Sequence, residues 1–79
     1  MIITWSPEAI RTARRFMRDQ LGIKEIGQAI ERLAEDPFPA ESFPWGEYRR
    51  LRVGPYRVMY VVQEERITID RIDRVQQMG

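Results

Sequence analysis

Between residues 48 and 73 the chain reads YRRLRVGPYRVMYVVQEERITIDRID, and this stretch limits the possible folds more than any other. Three strand-like runs, 47–53, 56–63 and 66–73, are separated only by Gly54-Pro55 and Glu64-Glu65. Such short connections predict neighbouring strands paired as antiparallel hairpins. Alternation then sorts the side chains: Tyr56, Val58, Tyr60 and Val62 share one side, and Arg57, Met59, Val61 and Gln63 the other. On the preceding run, Leu51 and Val53 lie opposite Tyr48, Arg50 and Arg52. A cover of helices needs an apolar surface, so Leu51, Val53, Val58, Tyr60, Val62, Ile67 and Ile69 form the expected buried set. That choice gathers Arg50, Arg52 and Arg57 on the open face as a cationic platform. Arg49 points to the helix side by parity and is expected at its edge.

The cover comes from the first half of the chain. Ile2 to Trp5 reads as a short strand, and Ser6-Pro7-Glu8 reads as a helix start. The serine is an N-cap, the proline has a helical φ, and the acid sits at the positive end of the dipole. The first helix is expected to run to about Gln20, with Ile10, Ala13, Met17 and Leu21 on one face beside Phe16. Gly22 interrupts it, and a second helix follows with Ile23, Ile26, Ile30, Leu33 and Ala34 as its stripe, ending at Asp36-Pro37. Residues 37–46, PFPAESFPWG, hold three prolines and are expected to be irregular. Phe38, Phe43 and Trp45 either pin this loop to the domain or offer rings for nucleobase stacking. The order β-α-α-β-β-β predicts a single α+β domain over 1–79, with two N-terminal helices packed on one face of a small antiparallel sheet.

Charge is distributed unevenly. Residues 1–47 carry six basic and eight acidic residues, whereas 48–79 carry seven arginines against four acids, on a chain of net charge +1. The basic patch at 49–57 implies either an anionic partner or a solvated strand protected by its arginines. With 43% hydrophobic and 32% charged residues, the composition suits a soluble globular domain. Histidine and cysteine are absent, which removes the commonest general base, thiolate chemistry and the usual zinc ligands. No metal and no cofactor are therefore expected, and a reducing cytoplasm fits the lack of cysteine. The apolar runs are far short of the roughly 20 residues of a membrane span, and the N-terminus has no signal pattern.

WSPEA at 5–9 before a helix, followed by RLRVGPYRVMYVV at 50–62, resembles the RelE/ParE superfamily of toxins from type II toxin–antitoxin pairs. The resemblance covers nearly the whole chain and implies the same α+β order. It also implies one of two activities: mRNA cleavage in the ribosomal 30S A site by RelE-type members, or inhibition of DNA gyrase by ParE-type members.

On the RelE reading this chain is a metal-independent endoribonuclease, a hydrolase class that inhibits translation. Arg50 and Arg57 match positions that stabilise the substrate and transition state, since fixed guanidiniums bind phosphate oxygens bidentately. Arg52 matches a further basic position that contacts the RNA backbone. Arg74 fills one slot of a basic C-terminal segment that this sequence, ending RIDRVQQMG, otherwise lacks together with its tyrosine. Tyr48, placed with the RNA-binding residues, or Tyr56 would then substitute as proton donor. The bland role for Arg57 is a tether to a carboxylate such as Asp70. Three functions stay open: ribosome-dependent mRNA endonuclease, ParE-like gyrase inhibitor, or a toxin fold with a degenerate site that only binds its antitoxin. All imply a cognate antitoxin partner, with a homodimer or a toxin–antitoxin heterotetramer as possible assemblies.

Overall fold

The computed structural model describes residues 1–75, in the order β1 (Ile2–Trp5), α1 (Pro7–Arg14), α2 (Gln20–Leu33), β2 (Ser42–Trp45), β3 (Tyr48–Val53), β4 (Tyr56–Gln63) and β5 (Arg66–Arg74). The strands form one sheet in the order β1-β5-β4-β3-β2. The expected meander is present: β3 pairs antiparallel with β4, and β4 with β5. The sheet is nevertheless mixed, because β1 lies parallel to β5 at the opposite end from β2. Both helices pack on one face, α1 over β5 and α2 over β3 and β4.

Three departures from the sequence reading shape the molecule. The proline-rich segment contains a regular strand, β2, which pairs with β3 through a two-residue turn at Gly46-Glu47. Proline lacks a donor but is tolerated on an edge strand, and β2 is one. The first helix stops at Arg14 rather than near Gln20; tight turns from Arg15, Phe16 and Met17 to carbonyls three residues back carry the chain round. Asp19, not the region after Gly22, starts α2, its Oδ1 accepting from the Gly22 amide at 2.9 Å. Ending early changes which residues α1 buries. Ala9 and Thr12 face the sheet with Ala13 and Phe16 against the core, while Ile10, Met17 and Leu21 are exposed.

The core holds Ala9, Ile26, Ile30, Leu33, Leu51, Val58, Tyr60, Ile67 and Ile69, with Val53 and Val62 partly buried against it. Tyr56, Met59 and Ile72 are buried as well. Ile72 arrives there through a β-bulge: Tyr60 pairs with Ile69 and Met59 with Arg71, leaving Asp70 as the extra residue. Beyond Trp5, where β1 ends, α1 supplies the hydrogen bonds that β5 would otherwise lack. The Ser6 hydroxyl donates to the Asp70 carbonyl at 2.8 Å, and the buried Thr12 hydroxyl accepts from the Ile72 amide at 3.0 Å. Without Thr12 that buried amide would cost about 1–3 kcal/mol.

Candidate functional site

The face of the sheet away from the helices is organised by cross-strand pairing. Trp45 of β2 stands opposite Tyr48, Phe43 opposite Arg50, Arg50 opposite Met59, and Arg52 opposite Arg57. Beyond β4, Arg57 pairs in register with Asp73 and Met59 with Arg71. The expected platform of Arg50, Arg52 and Arg57 is therefore assembled, with Tyr48 on the same face.

Each arginine is held differently. The Arg50 guanidinium lies over the Trp45 ring, 4.0 Å from its centroid, a distance at which cation–π attraction operates. Arg52 donates through Nε to the Gly54 carbonyl at 2.6 Å. Arg57 is half-buried, and its Nε is buried without a hydrogen-bond partner. It is not tethered to Asp70, which sits at the bulge. Its register partner Asp73 pairs with Arg71 at 3.5 Å instead. Among the described residues, Arg50, Arg52 and Arg57 form no ion pair. Like charges directly opposite one another destabilise a sheet, so the Arg52–Arg57 pair opposes stability.

Arg49 occupies the helix side of β3, as parity predicted, bonding Ser42 Oγ through Nη2 at 2.9 Å and stacking on Phe38 at 4.9 Å. Arg74 does not join the platform. The extra residue at Asp70 inverts the parity of the rest of β5, so Arg74 pairs with Tyr56 on the helix side. Its guanidinium lies 5.9 Å from the Tyr56 ring. The resemblance places Arg74 with the site, but no residue type at 69–71 announces the bulge that turns it away. The remaining C-terminal positions, 76–79, lie outside the described residues.

Tyr56 is also unavailable to the open face. It is 1% exposed, meets Phe16 edge-on at 5.1 Å between centroids, and donates its hydroxyl to Asp19 Oδ2 at 2.6 Å. That bond and the Gly22 amide hold the Asp19 carboxyl below its ordinary value, with Arg74 adding to the effect. The same bond, with burial, pushes the Tyr56 phenol up. The pair ties the start of α2 to the β3–β4 turn.

Phe38, Phe43 and Trp45 do not pin their loop by burial, since all are exposed. Phe43 and Trp45 extend the open face through β2. The signal for this was the hairpin written in WGEY at 45–48, with glycine between two strand-forming aromatics. On the opposite side of the sheet, between the end of α2 and β3, a groove of about 450 Å³ is lined by Ala29, Leu33, Leu51 and Val53, with Arg32 and Arg52 among its charged neighbours. No group of three or more histidine, cysteine, aspartate or glutamate residues suited to a metal ion occurs among the described residues. Nor is any helix there long and apolar enough to cross a membrane.

No curated protein sequence matches the chain significantly. Solved structures match its fold throughout. A YoeB/ParE toxin from Agrobacterium tumefaciens superposes with a TM-score of 0.80 at 18% identity, covering 98% of this chain and 100% of that one. The chromosomal ParDE toxin–antitoxin system from P. aeruginosa gives 0.79 at 18% identity, covering 96% and 97%. A heterotetrameric YoeB–YefM toxin–antitoxin complex from Staphylococcus aureus gives 0.70 at 20% identity, covering 98% of each chain. The family model for the ParE toxin of the type II toxin–antitoxin system parDE matches residues 3–78. The chain thus belongs to the ParE toxin family, within the RelE/ParE superfamily of type II toxin–antitoxin systems.

Proposed function

We propose that this chain is a toxin that stops growth in the cytoplasm by binding DNA gyrase and is silenced by a cognate antitoxin. The observation that carries the reading is the Arg52–Arg57 cross-strand pair: among the described residues neither arginine forms an ion pair, and Asp73, in register with Arg57, pairs with Arg71 instead. A sheet keeps such a pair against its own stability when an anionic surface relieves it. Guanidiniums stay protonated, so the platform binds and orients charge rather than moving protons. That suits an inhibitor acting by contact. The groove beside α2, with an apolar floor of Ala29, Leu33, Leu51 and Val53 and a charged rim, and the exposed Ile10, Met17 and Leu21, suit an antitoxin segment that folds on binding.

Ribosome-dependent mRNA cleavage is the second reading. It is favoured by Arg50 and Arg57 lying on adjacent strands of one face, able to converge on a phosphorane. Supercoiling by purified gyrase, run in parallel with primer extension on mRNA translated in a cell-free system, separates the two. Gyrase inhibition with intact mRNA supports the first reading, and Arg57→Ala is expected to weaken it roughly tenfold or more. New 5′ ends that appear only during translation and vanish in Arg57→Ala would replace it with the second. Antitoxin binding with neither effect would leave a toxin fold whose site has decayed.

A further inference from the structure

The two edges of the sheet are guarded differently. At the β2 edge, Trp45 and Tyr48 flank a two-residue turn and exchange their backbone bonds, so Ser42 and Pro44 turn outward. Pro44 has no N–H, and the Ser42 amide donates to the Pro39 carbonyl at 3.0 Å. No outward donor of β2 is left for another strand. At the other edge, β1 bonds β5 through alternate residues: Ile2 donates to the Glu65 carbonyl at 2.8 Å and Ser6 to the Ile69 carbonyl at 3.0 Å. Ile3 and Trp5 therefore turn their N–H and C=O groups away from β5, and among the described residues these groups have no backbone partner. Charged side chains, prolines and bulges are the usual means of blunting such an edge, and β1 has none of them.

We infer that β1 pairs with β1 of a second copy of this chain, antiparallel about a two-fold axis at Thr4. In that register Ile3 faces Trp5 of the second copy, and each open N–H meets an open C=O. Sliding the strands one way sets Trp5 against Met1, whose ammonium is already bound to the Ala34 carbonyl at 3.2 Å. Sliding them the other way sets Ile3 against Pro7, which has no N–H. The facing side chains agree with the backbone. Ile3 and Trp5, both packed against the core on the helix side, would form aromatic–β-branched pairs, and on the other face Thr4 would meet Thr4. Ile2, 63% exposed, would lie opposite Ser6. Residues 1–7 carry no charged side chain to select a different chain, whereas they match themselves. The axis stands perpendicular to the sheet, so both helix layers share one side and both arginine faces the other. Pairing thus makes the cationic platform bivalent, whatever it binds. A strand of four residues gives a small interface, so the dimer is reversible, dissociating in the micromolar range.

The test is sedimentation velocity of the purified chain from low micromolar to near millimolar concentration. The average mass should rise from that of one chain toward that of two. Thr4→Lys, at an exposed position, should hold it at one chain, because two ammonium groups would meet at the axis. Thr4→Val should keep the dimer. Thr4→Cys supplies the only thiol in a chain without cysteine, and facing Cα atoms at the axis would be about 4.5 Å apart, within disulfide reach. Mild oxidation should cross-link it roughly tenfold faster or more than Gln28→Cys, a control at an exposed position of α2. A mass of one chain at every concentration would overturn the inference. So would a dimer that survives Thr4→Lys with no preferential cross-link at position 4, which would move the contact to another surface such as the exposed Ile10, Met17 and Leu21. Should Thr4→Lys fail to fold, the cross-linking rate of Thr4→Cys decides alone. The readout is mass and cross-linking, so failure here is distinct from failure of the gyrase reading.

Discussion

Gly22 shows how one position can fix a local arrangement. A Cβ there would collide with the Asp19 carboxylate and come within 2.8 Å of the Tyr56 ring, so only glycine lets α2 start against the hairpin. The resulting Asp19–Tyr56 bond has a pH signature. Asp19 has a folded pKa below its ordinary value of 3.8, so its contribution is present above that value and lost as pH falls through the folded pKa. Tyr56 is raised above 10.0, so its contribution is present below that value and lost as pH rises through its folded pKa. Denaturant midpoints measured across pH should therefore fall at both ends. Tyr56→Phe should lower the plateau, flatten the acid limb and abolish this residue's alkaline limb. A profile unchanged by that substitution would show that the bond contributes nothing. None of this was legible in the sequence, because nothing in it says that Asp19 and Tyr56, 37 residues apart, meet.

At the scale of elements, three reversals of two residues each build the meander, and each puts positive φ at its first position: Gly46 at 60°, Gly54 at 56° and Glu64 at 49°. Two carry the residue that conformation favours. The third is a glutamate in the left-handed region, where a Cβ costs roughly 1–2 kcal/mol, partly offset by the greater chain entropy that glycine loses. Glu64→Gly should stabilise the domain by about 0.5–1 kcal/mol, raising the thermal midpoint by a few degrees; an unchanged or lower midpoint would refute the strain. Strand runs, faces and turns were readable here because period-two alternation and two-residue breaks are local signals. β2 was not, because its prolines outweighed the WGEY turn, and proline is penalised only where a donor is required. The site was legible to the same depth. Arg50, Arg52 and Arg57 share one face as alternation predicts, while Arg74, expected at the site from the resemblance, falls on the helix side because a bulge reverses parity without altering composition.

Across the whole molecule, the helices and the meander could be inferred piece by piece, but the parallel docking of β1 on β5 could not. It joins the two ends of the chain, with Ser6 bonded to Asp70 at a separation of 64 residues. That closure has a kinetic consequence. The hairpins β2–β3–β4–β5 close loops of two residues each, whereas seating β1 requires the largest loop in the domain to form. The meander should therefore assemble in the rate-limiting step, and the N-terminal strand should dock afterwards. In stopped-flow chevrons, Val58→Ala should slow refolding, whereas Ile3→Ala should leave refolding nearly unchanged and accelerate unfolding. If Ile3→Ala slows refolding as much as Val58→Ala does, the order is wrong. If it holds, the arginine face, carried wholly by the meander, exists before the N-terminal strand is in place. A nascent chain would then present that face while its fold is still open at one edge.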